Sequence, residues 1–241
     1  MSETLDALFG GRVRLYQSRT GYRFSLDSLL LAYFTRLRPG EKVVDLGTGS
    51  GVVPLILAHR YPLASVMGVE LQEAMVRRAR RNVRLNELQR RIEICQGDVR
   101  AIEAVASPAS FHAAVCNPPY RKPGSGRVSL DEEKRLARHE CAGALGDFIR
   151  AASYLLRAKG HLSMIYPAVQ AMDLLSAMRQ TEIEPKRLRL VHSFVDAAAS
   201  LILVEGAKGG RAGVDIEAPL IVYRRGKEYS AEVAAMIAGQ G

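Results

Sequence analysis

Four consecutive residues near the middle of the chain have the composition of a turn that could hold a planar amine. They are Asn117, Pro118, Pro119 and Tyr120, and they follow the apolar run 111–116, which predicts a buried strand. Proline disfavours the helical region for the preceding residue and has no N–H, so the turn presents acceptors and few donors. The Asn117 side-chain oxygen and the Pro118 carbonyl can accept both protons of an –NH2 group while its ring stacks on Tyr120. Such contacts favour a tetrahedral, attacking nitrogen and predict a catalytic turn for transfer to an amine; the alternative is a structural Pro-Pro turn.

A glycine-rich loop is the second feature with a chemical meaning. Residues 45–51, DLGTGSG, lie between a predicted strand, 42–46, and a predicted helix, 52–60. Strand, glycine-rich turn and helix form the nucleotide-binding start of a doubly wound fold, whose ligands bind at the carboxyl ends of the strands. The GxGxG spacing differs from the dinucleotide pattern, and the lack of a GK[ST] sequence excludes a P-loop. We therefore predict that four residues of this loop bind a cofactor: Asp45, Gly47, Gly49 and Gly51.

Acidic residues follow the next two predicted strands. Glu70 ends the second core strand and lies 23 positions after Gly47, where an acid typically accepts hydrogen bonds from ribose hydroxyls. Asp98 follows the third core strand, where a carboxylate can accept from an adenine amine. Together with Asp45, these residues place three acids at three successive strand ends, a pattern that indicates a nucleoside-containing cofactor.

Alternating strands and helices must position these motifs. The predicted core strands cover residues 42–46, 65–69, 91–96, 111–116 and 160–166, with an antiparallel pair at 187–191 and 201–204 and a short strand at 220–223. The predicted helices cover residues 26–34, 52–60, 72–88, 144–156 and 169–178. No repeat or linker divides the chain, so we expect a single α/β domain over residues 1–241.

Residues 1–40 are predicted to form a lid that precedes the core at 41–241. Alternating apolar residues around a turn at 19–21 predict a hairpin over 12–24, and a helix follows it. Asp27 lies in the first turn of that helix, where a carboxylate complements the helix dipole. The functional alternative places Asp27 near the cofactor.

The composition limits the class of partner. The chain has a formal net charge of +9 and is 48% hydrophobic, and the positive charge favours a polyanionic partner, nucleic acid first. The chain lacks the run of about 18 apolar residues that a membrane helix needs, and its first residues lack the features of a signal peptide, so we expect a cytoplasmic protein with no membrane partner. The three cysteines have no CxxC spacing, which favours reduced thiols and no metal site. The oligomeric state is not predicted.

Three basic segments are candidates for contact with a polyanion. The first begins at Arg121-Lys122, in a segment, 121–138, that we interpret as a functional lid or a disordered loop behind the catalytic turn. His139 follows, either as a catalytic base or, in the interpretation we favour, as a residue that orders this loop. The second candidate is the turn 208–211. The third is a helix face that we interpret as solvated, with an RNA contact as the alternative: Arg77, Arg80, Arg81 and Arg84.

The glycine loop and the Asn-Pro-Pro-Tyr turn together resemble those of class I S-adenosylmethionine-dependent methyltransferases that act on an amino nitrogen. Three flanking segments are similar to bacterial tRNA(Val) adenine N6-methyltransferases, namely 24–32 (FSLDSLLLA), 137–140 (ARHE) and 203–211 (LVEGAKGGR). The resemblance covers nearly the whole chain. It implies a Rossmann-like, seven-stranded mixed sheet of order 3-2-1-4-5-7-6 with helices on both faces.

The same resemblance implies a cofactor, a substrate and roles for individual residues. S-adenosylmethionine would lie with its methionine end at Asp45 and the glycines, its ribose at Glu70 and its adenine at Asp98. The substrate would be the adenine just 3′ of the anticodon of a tRNA, splayed out of its loop and held by residues 117–120. The full set of expected cofactor contacts is Asp27, Asp45, Gly47, Gly49, Gly51, Glu70, Leu71, Asp98, Val99 and Asn117.

Three other functions remain compatible with these motifs. A glutamine N5 protein methyltransferase uses the same turn, but that class normally carries an additional N-terminal helical domain, for which residues 1–41 leave little room. A guanine N2 RNA methyltransferase would also transfer a methyl group to an amine. A non-catalytic RNA-binding relative is disfavoured because the motif set is intact.

Overall fold

The computed structural model describes residues 3–18, 26–119 and 145–240, and its centre is a mixed sheet covered by helices on both faces. The chain begins with a hairpin, β1 (Glu3–Leu8) and β2 (Val13–Ser18). The sheet contains β3 (Lys42–Leu46), β4 (Ser65–Glu70), β5 (Ile92–Gln96), β6 (Phe111–Cys116), β7 (Leu156–Pro167), β8 (Ile183–His192), β9 (Ala199–Lys208), β10 (Asp215–Ile216) and β11 (Leu220–Ile221). A second hairpin is formed by β12 (Tyr223–Arg225) and β13 (Glu228–Tyr229). The helices are α1 (Leu26–Phe34), α2 (Val52–Arg60), α3 (Glu73–Leu85), α4 (Leu145–Leu155), α5 (Ala171–Gln180) and α6 (Ala231–Ala238), and turns of 3₁₀ helix cover Phe9–Gly11, Val99–Ala104 and Ala168–Gln170.

The strand order confirms the expected Rossmann-like topology. From one edge the strands follow the order β5-β4-β3-β6-β7-β9-β8, which is 3-2-1-4-5-7-6 when β3 is counted as the first core strand. Strand β9 is antiparallel to both β7 and β8, whereas β3, β4, β5, β6 and β7 pair in parallel. The two-residue strands β10 and β11 extend the seven-stranded core along the outer edge of β8. The carboxyl ends of β3 to β8 therefore lie along one edge of the sheet.

Most of the predicted elements are confirmed, with shifts of a few residues. Helix α1, strand β3 and helix α2 begin and end as expected. Helix α3 ends at Leu85 instead of residue 88, because Glu87 has a φ of +58°, which an α-helix does not accommodate. The antiparallel pair near the end of the chain is longer than expected and forms β8 and β9.

The N-terminal hairpin differs from the expected one. Strand β2 pairs with the preceding strand β1, with Leu8 opposite Val13 and Glu3 opposite Ser18. The connection is the 3₁₀ turn at Phe9–Gly11, in which Gly10 has a φ of +64°. Two adjacent glycines allow this tight reversal. The turn expected at 19–21 and the strand expected after it lie outside the described residues.

The sheet separates two hydrophobic cores. One core lies under α1, α2, α3 and α6 and includes Leu31, Leu55 and Val76, each 1% exposed or less. The other lies under α4 and α5 and includes Ile149 and Leu174, both fully buried. Each fully buried Leu or Ile side chain contributes roughly 1.5–3 kcal/mol to folding, so burial on both faces holds the parallel strands rigidly. That rigidity fixes the positions of the loops at the strand ends.

Two asparagine side chains, one in α3 and one directly after it, dock the N-terminal hairpin on the core. The Asn82 amide accepts from the Tyr16 N–H at 2.7 Å and donates to the Tyr16 carbonyl at 3.1 Å. Asn86 makes the same pair of bonds with Arg14, at 2.9 and 2.6 Å. Residues four apart on a helix and two apart on a strand are both separated by about 6–7 Å, so each amide acts as a strand partner for β2. Asn82 also donates to the Ser50 carbonyl at 2.9 Å, which ties the hairpin to the glycine loop.

We predict that Asn82→Ala lowers the free energy of unfolding by about 2–4 kcal/mol, because three hydrogen bonds are lost and their partners are left buried. Asn86→Ala, at a partly exposed position, should cost about 1 kcal/mol. Urea unfolding of both variants measures the difference. Equal losses in the two variants would contradict a special role for the buried amide.

Candidate active site

The carboxyl edge of the sheet brings the predicted site residues together. Leu46 lies opposite both Val69 and Cys116 in the parallel register, so the next residue of each strand begins the edge. The glycine loop, Glu70 and Asn117 therefore start side by side on three adjacent strands. Asp98 follows β5, the next strand along the same edge. The register therefore brings these motifs to one edge of the sheet.

The glycine loop folds back onto β4. The N–H groups of Gly47 and Thr48 both donate to the Val69 carbonyl, at 2.9 and 3.0 Å. At Gly49, which has a φ of +56°, an added Cβ would meet no atom within 4 Å, so the backbone is open to a ligand there. At Gly51 an added Cβ would lie 3.3 Å from the Ala79 Cβ, so this glycine allows close packing of two helices.

Glu70 clamps the glycine loop through its carboxylate. One oxygen accepts the Gly49 N–H and the other accepts the Gln72 N–H, both at 2.9 Å. Burial raises the pKa of Glu70, and these N–H groups oppose the shift because they stabilise the charged form. Each carboxylate oxygen can accept a further hydrogen bond. Glu70 can thus order the loop and still accept from ribose hydroxyls.

Asp45 is a buried carboxyl with an unused acceptor. The residue is 2% exposed, and its Oδ2 atom has no hydrogen-bond partner among the described residues. Burial raises the pKa of Asp45 to about 7; the Thr48 hydroxyl opposes this shift and the Glu70 carboxylate adds to it. A buried acceptor of this kind is costly unless a donor or a cation reaches it. It therefore fits the amino group of a ligand held by the loop.

Asp98 is held by a neighbouring arginine. Its carboxylate accepts the Arg100 backbone N–H at 2.9 Å and also pairs with the Arg100 guanidinium. That guanidinium lowers the pKa of Asp98, so the carboxylate stays charged. An adenine amine at Asp98 would share the carboxylate with Arg100. Leu71 and Val99, which follow Glu70 and Asp98 in sequence, are half-buried at the same edge.

Helix α1 contacts the Asn-Pro-Pro segment that follows β6. The Asn117 amide nitrogen lies 3.4 Å from the Ser28 hydroxyl, to which it donates, and this contact orients the side-chain oxygen away from Ser28. Pro118 is buried and Pro119 is half-buried. Asp27 precedes Ser28 in the first turn of α1. The contact between Ser28 and Asn117 therefore agrees with the expectation that this turn lies near the site. Tyr120, the segment 121–138 and His139 lie outside the described residues.

Sequence comparison identifies the class of this fold. The sequence model of the family described as "methyltransferase small domain" matches residues 26–182, which include the glycine loop, the three acids and Asn117. The chain belongs to this family.

Known proteins align with this methyltransferase over most of its length. A tRNA1(Val) (adenine(37)-N6)-methyltransferase of Porphyromonas gingivalis is 32% identical over 197 residues, which cover 73% of this chain and 76% of that protein. A protein of the same description from Histophilus somni is 26% identical over 228 residues and covers 90% of this chain and 89% of its own length. A crystal structure from Agrobacterium tumefaciens, described as a predicted O-methyltransferase, has a TM-score of 0.73 and 26% identity and covers 89% of this chain and 97% of its own.

Ser28 is the site residue of the methyltransferase that the sequence did not single out. It is 6% exposed and lies next to Asp27, which the sequence did place near the cofactor. A hydroxyl in a strongly apolar helix was the available signal, because such a group normally needs a specific partner. The partner is an amide 89 positions later in the chain, so the sequence could not identify it.

One of the basic residues expected to contact RNA, Lys208, is instead used within the fold. The Lys208 ammonium donates to the Ser153 and Leu156 carbonyls at the end of α4, at 2.5 and 2.9 Å. The turn 208–211 follows β9, which runs towards the amino edge, so it lies at the edge opposite Asn117. The expectation that this turn contacts a substrate at the active site is therefore not supported by its position.

The arginine face of α3 is also largely committed to internal contacts. Arg77 pairs with Glu73, Arg80 donates to the Ile94 carbonyl at 3.0 and 2.8 Å, and Arg81 pairs with Glu3. The guanidinium of Arg81 also lies 3.6 Å from the centre of the Tyr16 ring. The face is therefore more than a solvated surface, since it holds the hairpin and strand β5.

The two cysteines that the structure describes are not activated as nucleophiles. Burial raises the pKa of both the Cys95 and the Cys116 thiols, which disfavours a reactive thiolate at neutral pH. Within residues 3–18, 26–119 and 145–240, no cluster of three or more His, Cys, Asp or Glu side chains could hold a metal ion. No helix in the same ranges is long and apolar enough to span a membrane.

We predict that Asp45→Asn, compared with the wild type and without cofactor, has a higher free energy of unfolding at pH 8 than at pH 5. A carboxyl whose native pKa is raised favours folding below its unfolded pKa, and this contribution is lost as pH rises towards about 7. Each pH unit in that window is worth about 1.4 kcal/mol, so the variant should gain roughly 2–3 kcal/mol over the wild type between pH 5 and 8. Urea unfolding at both pH values measures the gain. Asp98→Asn is the control and should show no such gain, because the pKa of Asp98 is lowered; the same gain in both variants would contradict the assignment.

Proposed function

We propose that this chain is an S-adenosylmethionine-dependent methyltransferase that modifies N6 of an adenine next to the anticodon of a tRNA. Family membership supports methyl transfer, and the similar proteins from Porphyromonas gingivalis and Histophilus somni carry this activity in their descriptions. The observation that carries the proposal is the position of Asn117, held by Ser28 at the carboxyl end of β6, beside the glycine loop. The cytoplasmic location expected from the sequence agrees with a tRNA substrate.

The residues present fit S-adenosylmethionine. The open backbone at Gly49 and the unused acceptor of Asp45 would hold the methionine end of the cofactor, and Glu70 would accept from the ribose. When bound, the cofactor supplies a methyl group on a positively charged sulfur, which is already a strong electrophile. The protein therefore has to align the acceptor more than it has to supply acid–base chemistry.

The turn after β6 would hold the amine of the substrate. The Asn117 side-chain oxygen and the Pro118 carbonyl accept its two protons, which localises the lone pair on nitrogen and makes it nucleophilic. Methyl transfer leaves the nitrogen positively charged, which makes its protons acidic. One of them can therefore pass to solvent. An adenine reaches this turn only when it is unstacked from its loop, as single-stranded RNA regions allow.

The related crystal structure described as a predicted O-methyltransferase raises a second reading. A hydroxyl substrate carries one proton and benefits from a base that removes it. The Asn-Pro turn instead provides two neutral acceptors, which match the two protons of an amine. The glutamine N5 and guanine N2 alternatives share this amine chemistry and differ in the substrate.

The proposal predicts the product. Purified protein incubated with S-adenosylmethionine and a tRNA(Val) transcript should yield N6-methyladenosine, detected by mass spectrometry of the nucleosides. A transcript with guanosine at position 37 is the matched control and should not be modified. Methylation of guanine N2, of a ribose oxygen or of a protein glutamine in preference to the transcript would replace this proposal by the corresponding alternative.

We predict that Asn117→Ala lowers turnover at least about a hundredfold and weakens cofactor affinity by much less. The magnitude corresponds to the loss of one preorganised contact with the reacting group. Ser28→Ala should have a smaller effect, because it only loosens the orientation of Asn117. Single-turnover kinetics and calorimetry separate the two effects. Asn86→Ala is the matched remote control, and near-normal single-turnover rates for Asn117→Ala would remove Asn117 from the catalytic role.

A further inference from the structure

The hairpin β12–β13 carries a ladder of aromatic rings. Tyr223 lies opposite Tyr229 across the hairpin, and their rings stack with centroids 5.2 Å apart and an interplanar angle of 20°. Phe194 also packs against Tyr223, with centroids 5.7 Å apart and an interplanar angle of 36°. Tyr229 ends the ladder and is 39% exposed. An exposed ring at the end of a rigid stack is a platform on which another planar group can stack.

Exposed basic residues surround this platform. Arg224, Arg225 and Lys227 lie in or between the two short strands, and all three are exposed. Arg224 makes a long ion pair with Glu228, at 3.8 Å. The side chains of Arg225 and Lys227 form no ion pair or hydrogen bond with any residue that the structure describes. In contrast to Lys208, Arg80 and Arg81, these charges remain available to a partner.

The hairpin lies at the same edge of the sheet as the catalytic turn. The Tyr223 N–H donates to the Ser193 carbonyl at 2.9 Å, just beyond the carboxyl end of β8. Four strand spacings, or roughly 19 Å, separate β11 from the strand that ends at Asn117. A small substrate held at Asn117 cannot span this distance. A folded RNA can, because its backbone continues on both sides of the target base.

We propose that the hairpin β12–β13 is a second RNA contact of the enzyme, which grips the substrate away from the target base. Arg225 and Lys227 bind phosphates, and an unpaired base stacks on Tyr229. This inference rests on the proposed tRNA substrate. The combination of basic side chains and a partly exposed aromatic ring matches the two features by which proteins bind single-stranded nucleic acid, phosphate neutralisation and base stacking.

The charges are tested with the double variant Arg225→Gln/Lys227→Gln. Each phosphate contact contributes roughly 0.7–0.9 to the slope of log affinity against log salt, so the variant should flatten this slope by up to about two. The KM for tRNA should rise about tenfold or more at low salt, while kcat and cofactor affinity stay unchanged. The matched control is Arg157→Gln/Lys159→Gln, an exposed pair with the same spacing and charge at the opposite edge of the sheet. The control should behave as the wild type.

The platform is tested separately with Tyr229→Leu and Tyr229→Phe. The leucine variant should raise the KM for tRNA at least about fivefold, because it removes the stacking face, whereas phenylalanine should preserve the wild-type value. If the wild type neither binds nor methylates tRNA, the proposed function fails. If the wild type methylates tRNA and the hairpin variants match the control pair, only this inference fails. Binding of anionic lipid vesicles that depends on the hairpin, with tRNA affinity unaffected by the variants, would also overturn it.

Discussion

The parallel pairing of β3 with both β4 and β6 is the constraint on which the rest of the molecule depends. Each of these strands is buried on both faces, and their register leaves the glycine loop, Glu70 and Asn117 at adjacent positions of one edge. A shift of a single residue in this register would turn buried side chains to the opposite face. The two hydrophobic cores therefore fix the geometry of the site, although none of their side chains takes part in the chemistry.

The site is built from groups that oppose folding. Asp45 and Glu70 are both buried, and burial raises the pKa of each because the charged form is desolvated. Glu70 recovers part of this cost through two backbone N–H groups of the loop that it orders. Asp45 recovers less, since one of its oxygens has no partner in the described part of the chain. A ligand with a donor group would satisfy this oxygen of Asp45, so the free energy that its burial costs would contribute to ligand affinity.

The net charge of +9 is a poor guide to where a polyanion binds. Many of the arginine and lysine side chains form contacts within the protein. Arg78 and Arg81 pair with Glu3, Arg187 pairs with Glu205 and Glu217, and Lys208 caps α4. Such internal contacts stabilise the hairpin and the far strands of the sheet. A better guide to a polyanion site is the set of basic side chains that have no internal partner. In the described residues this set includes Arg225 and Lys227 of the hairpin β12–β13.

The sequence by itself determined the alternation of strands and helices, the glycine loop and the Asn-Pro-Pro segment after β6, because these depend on local rules. Apolar runs specify buried strands, glycine permits a close backbone approach, and proline removes N–H donors at Asn117. Tertiary structure alone decided the contacts between distant residues. The Ser28 hydroxyl meets Asn117, Asn82 joins the hairpin to the glycine loop, and Lys208 turns inward at the edge away from the site. The physical reason is that hydrogen-bond partners far apart in sequence are chosen by strand order and helix packing, and a residue type does not reveal which of its possible partners the fold will bring within reach.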